Sequence, residues 1–185
     1  MIFNNHSKLA GLHATFSPSQ SSWLRYDDDK AIEVYSNRKA AEMGTRLHAW
    51  AAETIKLGLK QPKSKKTICT YVNDAISYKM SPEVVLLYSE RFFGTADAIS
   101  FRNNFLRIHD LKTGKSSVSM EQLEVYAALF CLEYNKKPGE IEMELRIYQN
   151  DEVIVHNPTA EDILPIMDKI VHLNKLLDRL EREEV

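Results

Sequence analysis

"GTADAISFRNNFLRIHDLKTGK", residues 94–115, is the stretch from which the fold of this chain can be worked out. Its residues alternate with a period of two on both sides of Asn103 and Asn104, which predicts two strands. Asparagine tolerates positive φ, so this pair predicts a two-residue turn and an antiparallel hairpin. The turn sets the facing residues: Arg102 with Phe105, Phe101 with Leu106, Ile99 with Ile108, Asp97 with Asp110, and Thr95 with Lys112.

The hairpin predicts a charged end on an otherwise apolar face. Asp97, Asp110 and Lys112 follow Ile99 and Ile108 on that face, because facing residues and residues two apart share a side. Two opposed carboxylates, roughly 5 Å apart at their β-carbons, repel each other, and burial strengthens the repulsion. A divalent cation would offset it, and oxygen ligands favour Mg²⁺ or Mn²⁺. Lys112 would then hold a water molecule or a phosphate oxygen beside the metal.

Two other interpretations of this cluster stay open on the spacing alone. Lys112 could form salt bridges with the carboxylates without any metal, as structural ion-pair networks do. A longer turn could also shift the register and separate the three charged groups.

Composition predicts one globular α/β domain. The chain has 185 residues, 44% of them hydrophobic, and a formal net charge of −2. We expect a single domain over residues 1–185, with a core at about 17–157 and a C-terminal helix at 159–184. Charges of both signs are interspersed, so any surface that contacts nucleic acid must be local.

The order of predicted elements is helices, three strands, a helix, two strands and a helix. Ser17 caps a short helix that starts at Pro18, and Asp27 to Asp29 is expected to be a solvated turn. The longer segments are helices at 37–58, 67–80 and 119–137, antiparallel strands at 83–92, 94–101 and 104–113, a strand pair at 140–149 and 152–157, and a helix after Thr159. This order predicts a mixed α/β domain with a central sheet.

Cysteine content and hydropathy limit the cofactors and the compartment. Only Cys69 and Cys131 are present, too few for a four-cysteine iron–sulfur cluster, so none is expected. No signal-peptide pattern and no run of 18 apolar residues occurs, which predicts an intracellular protein without a membrane span.

Four motifs together resemble those of the RecB-like branch of the PD-(D/E)XK nuclease superfamily, which includes stand-alone RecB-type and phage-type exonucleases. They lie in the family's order, within residues 17 to 127. They are Gly44-x-x-x-His48, Gly94-x-x-Asp97, the run Asp110-Leu111-Lys112-Thr113-Gly114-Lys115, and Gln122-x-x-x-Tyr126.

The resemblance implies a restriction-endonuclease-like core and a Mg²⁺- or Mn²⁺-dependent deoxyribonuclease. The expected activity is that of an exonuclease on DNA ends or single strands, in recombination, repair or phage DNA metabolism. It also implies a cytoplasmic location in a bacterial or phage-infected cell, with DNA as the partner and a second copy or a recombination protein as a further one.

The resemblance also assigns roles to residues. His48, Asp97 and Asp110 would be metal ligands together with the Leu111 carbonyl, and Lys112 would activate the attacking water. The residues that would contact DNA or support the site are Gln122, Tyr126, Thr113 and Lys115.

Several of these residues have a purely structural alternative. His48 could be an ordinary packed histidine, Gln122 could complete a capping box with Ser119, and Tyr126 could belong to the core. The lysines at 60–66, and likewise Lys136 and Lys137, are either solvated or in contact with phosphates.

Two other functions compete with a nuclease. The first is a non-catalytic DNA-binding or assembly subunit, whose terminal helix would pack on a partner through Ile163, Ile166, Ile170, Leu173 and Leu177. The second is a metal-dependent enzyme acting on another phosphate ester, although the chain has no glycine loop that would hold a nucleotide.

Overall fold

The structure is a computed structural model that describes residues 7–9, 13–114 and 118–183. The chain divides into two compact units, Met1–Thr45 and Arg46–Val185. The boundary falls inside helix α1 (Asp28–Lys56). The first unit also contains 3-10 helices at Ser7–Leu9 and Pro18–Arg25.

Helix α1 begins nine residues before the predicted start, at Asp28 rather than Asn37. The solvated turn expected at Asp27 to Asp29 is therefore wrong. Asp27 accepts a hydrogen bond from the Lys30 N–H at 2.8 Å, and Asp28 and Asp29 lie in the first helical turn. Carboxylates at a helix N-terminus accept hydrogen bonds from free N–H groups and interact favourably with the positive end of the helix dipole. The three acids therefore stabilise the start of the helix.

The second unit contains an open sheet of five strands in the order β1-β2-β3-β4-β5. Their bounds are β1 Ser81–Ser89, β2 Phe92–Arg102, β3 Phe105–Leu111, β4 Glu142–Gln149 and β5 Glu152–His156. The first three strands are antiparallel neighbours, β4 runs parallel to β3, and β5 is antiparallel to β4. The prediction of a mixed α/β fold with a central sheet is confirmed.

The hairpin between β2 and β3 has the predicted register. Asn103 and Asn104 have φ values of 51° and 57°, as a tight turn requires. The alternative with a shifted register is wrong, because the ladder pairs Arg102 with Phe105, Phe101 with Leu106 and Ile99 with Ile108. The ladder ends where Ala98 faces His109, so Asp97 and Asp110 lie one step beyond it. The pairing predicted for Thr95 and Lys112 is not part of the ladder, because β3 ends at Leu111.

Helices cover the sheet with two hydrophobic clusters. Helices α3 (Glu121–Glu133) and α4 (Ala160–Glu183) belong to the larger cluster, whose buried members include Leu86, Ile108, Leu123, Leu145 and Ile163. Helix α2 (Thr67–Ser77) and the last turns of α1 belong to the smaller one, with Ala51, Ile55, Val72, Leu111 and Tyr148. Strands β3 and β4 contribute to both clusters, so the end of β3 is held from two sides.

Helix α4 packs on its own unit. The Thr159 backbone N–H donates to Asp162 Oδ2 at 2.7 Å, which closes the first turn of the helix predicted after Thr159. Ile163 and Ile170 are buried, whereas Leu164, Leu176 and Leu180 are exposed. Among the described helices, none is both long and apolar enough to cross a membrane.

Candidate metal centre

Three side chains from three elements converge at one end of the sheet. His48 of α1, Glu83 of β1 and Asp97 of β2 each offer a ligand atom, and these atoms lie within 4.8 Å of one another. His48 Nδ1 is 3.4 Å from Asp97 Oδ2, so the two side chains already interact. A nitrogen and two carboxylates at this spacing form a donor set that a divalent cation can use.

Asp97 is held in place by the end of β3. Its Oδ2 accepts a hydrogen bond from the Leu111 backbone N–H at 2.8 Å, just where the β2–β3 ladder has ended. The side chain therefore takes the position of a missing ladder partner. Leu111, expected to act through its carbonyl, contributes its N–H to the site and is itself buried.

Glu83 was not among the predicted site residues. Its neighbours Pro82 and Val84 face Ala98 and Ala96, which places Glu83 across the strands from Asp97. Glu83 adopts a φ of 53°, the left-handed region, within a strand. Such a conformation in a non-glycine residue is strained and needs support from its surroundings.

Asp110 is the most deeply buried carboxylate of the site, only 4% exposed. Burial is the main cause that raises the pKa of Asp110 above its usual value; the charge of Asp97 adds to the rise and Lys112 opposes it. Lys112 Nζ donates to Asp110 Oδ1 at 3.1 Å. Asp110 Oδ2 lies 3.0 Å from the same nitrogen but is buried without hydrogen-bond geometry to any described residue.

The salt-bridge interpretation explains only part of this arrangement. Lys112 does pair with Asp110, as that alternative expected. Lys112 Nζ lies 3.0 Å from Asp110 Oδ2 without hydrogen-bond geometry, and a buried acceptor that lacks a hydrogen bond is costly. Asp110 is not one of the three residues that meet within 4.8 Å, but its charge contributes to the raised pKa of His48.

The acids around His48 favour its protonated form. The pKa of His48 is raised, chiefly by its hydrogen bond with Asp97, while burial acts in the opposite direction. A histidine ligates a metal only when it is neutral, so a cation and a proton compete for this ring. His48 contacts Asp97 at 3.4 Å, and its role as a metal ligand stays a prediction.

Gln122 and Tyr126 of α3 connect this helix to Lys112. Gln122 Oε1 accepts from Lys112 Nζ at 2.7 Å, and its amide nitrogen lies 3.4 Å from the Tyr126 hydroxyl. The capping-box alternative is wrong: Met120 occupies the cap position, and Ser119 Oγ accepts from the Glu121 N–H instead. Tyr126 is half-buried against the larger hydrophobic cluster, so it belongs to the core as well.

Gly94 and Tyr126 depend on each other. A Cβ atom at Gly94 would lie 2.8 Å from Tyr126 Cε1, closer than real Cβ contacts allow. The glycine three residues before Asp97 is therefore needed for the ring that contacts Gln122. The motifs that contain these two residues are physically linked through this contact.

The remaining predicted site residues have different outcomes. Thr113 is exposed and lines a cavity beside Lys112. Lys115 lies outside the described residues. His109 is buried next to Tyr148 on β4.

The donors present fit a hard divalent cation. His48, Glu83 and Asp97 would hold it, and the buried Asp110 Oδ2 has no hydrogen-bond donor among the described residues. The chain matches no family model, no curated protein and no solved structure. The function must therefore be argued from the site itself.

Proposed function

We propose that this protein is a metal-dependent deoxyribonuclease of the RecB-like PD-(D/E)XK type, with a restriction-endonuclease-like core. We further propose that it acts as an exonuclease on DNA ends or single strands. The observation that carries the proposal is the buried, hydrogen-bond-free Asp110 Oδ2 beside Lys112, next to the cluster of His48, Glu83 and Asp97.

The positions of the motifs support this proposal. His48 contacts Asp97 at 3.4 Å, and Asp97 accepts from the Leu111 N–H at 2.8 Å. Lys112 contacts both Asp110, at 3.1 Å, and Gln122, at 2.7 Å. A binding module gains nothing from a buried acid beside two further carboxylates, whereas hydrolysis of a phosphodiester needs concentrated negative charge to hold cations.

Each side chain has a distinct task in this proposal. Mg²⁺ or Mn²⁺ bound by these donors would lower the pKa of a water molecule and neutralise phosphate oxygens. Lys112 keeps a positive charge next to Asp110, where it can counter charge that develops on the phosphate. Gln122 holds the Lys112 ammonium in position from α3. Leu111 orients Asp97 through its backbone N–H.

Cleavage of end-labelled linear DNA by the purified protein tests the proposal. We expect cleavage with Mn²⁺ or Mg²⁺, and a loss of about 100-fold or more in Asp110→Asn and in Lys112→Ala, as for removal of a charge-stabilising group. Asp168→Asn, an exposed acid on α4, is the matched control and should cleave like the wild type. No cleavage by folded wild-type protein, or full cleavage by both site variants, would contradict the proposal.

A DNA-binding or assembly subunit is the second candidate. The exposed leucines of α4, Leu164, Leu176 and Leu180, favour it because they could contact a partner. DNA binding that Mg²⁺ leaves unchanged, without any cleavage, would support this function over the nuclease.

A further inference from the structure

A cavity of about 400 Å³ lies beside Lys112, outside the cluster of His48, Glu83 and Asp97. Its volume is within the range of small-ligand pockets, about 300 to 1,000 Å³. The residues that line it come from α1, the start of α2, the end of β3 and the β4–β5 turn: Leu47, Lys66, Thr67, Ile68, Leu111, Lys112, Thr113, Asn150 and Asp151.

The cavity shares two of its walls with the metal centre. Leu47 directly precedes His48 on α1, and Leu111 donates its N–H to Asp97. Lys112 lines the cavity and also pairs with Asp110. A molecule that enters the cavity is thus adjacent to the residues proposed to cut DNA.

The wall formed by α2 and the β4–β5 turn is rigidly connected. Asp151 Oδ1 accepts from the Thr67 N–H at 2.8 Å, and the Asp151 N–H donates to Thr67 Oγ1 at 2.6 Å. Among the described residues that line the cavity, Asp151 is the one acid, and its Oδ1 is already used by Thr67. Lys66 is the cation of the lining that has no ion pair with a described residue, because Lys112 pairs with Asp110.

The loop that enters the cavity at Lys66 is basic and its charges are unpaired. Lys60, Lys63, Lys65 and Lys66 form no ion pair with any described residue, whereas Lys30 and Lys137 each pair with a nearby glutamate. Unpaired lysines release counterions when they meet phosphates, which makes such a loop suitable for a nucleic-acid backbone.

The cavity also has apolar and neutral polar lining residues beside its lysines. Leu47, Ile68 and Leu111 supply an apolar surface, and Thr113 and Asn150 supply polar side chains. An apolar surface combined with cationic and polar groups matches a nucleotide, which has a flat base, a sugar and a phosphate.

We propose that this cavity binds the nucleotide next to the cleaved phosphodiester bond, with its phosphate near Lys66. Loop residues 60–66 then continue the path of the DNA strand away from the metal centre. This inference rests on the proposed nuclease function and names the surface that receives its substrate.

Binding of a fluorescently labelled 12-nucleotide dT oligonucleotide, measured by anisotropy without divalent metal, tests the path. For single strands the slope of log K against log salt is negative, and its magnitude should fall by about 0.7 for each lost phosphate contact. We expect that smaller magnitude in Lys66→Ala. Lys175→Ala is the matched control, because Lys175 is an exposed lysine on α4, and its slope should equal that of the wild type. Equal slopes for Lys66→Ala and Lys175→Ala would overturn the inference.

A local measurement separates a built subsite from a general charge effect. On titration with thymidine 5′-monophosphate, the amide resonances of Ile68, Thr113 and Asn150 should shift in the full chain. In steady-state cleavage, Lys66→Ala should raise KM several-fold with little change in kcat. Amide shifts elsewhere only, or a loss confined to kcat, would overturn the subsite.

The two proposals fail in different ways. Cleavage by the wild type together with an unaffected Lys66→Ala variant would remove the subsite and leave the nuclease. Nucleotide binding at these amides in a protein that cuts no DNA would keep the binding site and remove the nuclease.

Discussion

His109 is a fully buried histidine directly before Asp110 in β3. Its Nδ1 lies 3.2 Å from the Tyr148 hydroxyl, and its ring contacts those of Tyr78 and Tyr148. Burial lowers the pKa of His109 to about 3, and the charges of Arg146 and Arg107 act in the same direction. The ring is therefore neutral in the folded chain at any ordinary pH.

This burial predicts an acid-sensitive stability. The unfolded chain protonates His109 below about pH 6.5, whereas the folded chain does so only near a pKa of about 3. The contribution to stability is present above pH 6.5 and is lost as the pH falls towards 3. Between pH 7.5 and 5 the loss is about 2 kcal/mol.

Urea unfolding at pH 7.5 and 5.0 measures this loss. His109→Gln removes the titrating group, so its free energy of unfolding should fall less over the same interval. The comparison between the two proteins cancels contributions from other groups, including His48. An equal fall in both would mean that His109 is not kept neutral by the fold.

The sequence pattern predicted one polar contact of Lys112 and missed another. The link between Lys112 and Asp110 followed from the two-residue spacing on one strand, and it is present. The contact of Gln122 with Lys112 did not follow, because the local pattern around Ser119 also fits a capping box. Sequence neighbours suggest a local partner, whereas the observed partner comes from another element.

At the scale of elements, the hairpin was predictable because its turn has two residues and its register follows from the turn alone. The β1–β2 pair has an irregularity: Ser89 faces Phe92, but from Leu87 onward the register is shifted by one. If the pairing of Ser89 with Phe92 continued without a shift along β1 and β2, Glu83 would face Ala98. In the structure it lies opposite Asp97. A one-residue shift moves a side chain to the other face, so Glu83 could not be assigned from the sequence.

The parallel pairing of β4 with β3 could likewise not be predicted from the local sequence pattern. The two strands were predicted as elements, but their adjacency depends on how the chain crosses over through α3. The cavity beside Lys112 also depends on this crossover, because its lining comes from segments distant in the chain.

Gly94→Ala should destabilise the contact between β2 and α3. The new Cβ would press on the Tyr126 ring, and overpacking of this kind costs about 1–3 kcal/mol. Combining it with Tyr126→Leu should recover part of the loss, with a coupling of about 0.5 kcal/mol or more in a double-mutant cycle. Urea unfolding of the four proteins measures that coupling.

Gly139→Ala provides the control for that cycle. Its new Cβ would lie 3.8 Å from the Ala160 Cβ, an ordinary contact, so little change in the free energy of unfolding is expected. Additive effects of Gly94→Ala and Tyr126→Leu would show that the ring does not press on residue 94.

For the whole molecule, cation binding should appear as added thermal stability. A ligand at 100 times its Kd stabilises the folded state by about 2.7 kcal/mol, which for a chain of this size corresponds to a rise in Tm of roughly 5–10 °C. We expect such a rise with Mn²⁺, reversed by EDTA, because the cation would bind folded chain only.

Site variants show whether that rise comes from the proposed centre. Asp97→Asn removes one of the three converging ligands and should abolish most of the Mn²⁺-dependent shift in Tm, whereas the exposed Asp168→Asn should preserve it. Equal shifts in both variants would place the cation elsewhere on the molecule.

The Asp110 oxygen that accepts no hydrogen bond from a described residue also affects which substitutions evolution would favour at this position. A descendant that no longer used a cation would keep the cost of a buried acid without its benefit. Joint substitution of Asp110 and Lys112 by well-packed neutral residues would then raise its stability. For the same reason, an engineer who wants only a robust scaffold from this protein should begin with that substitution.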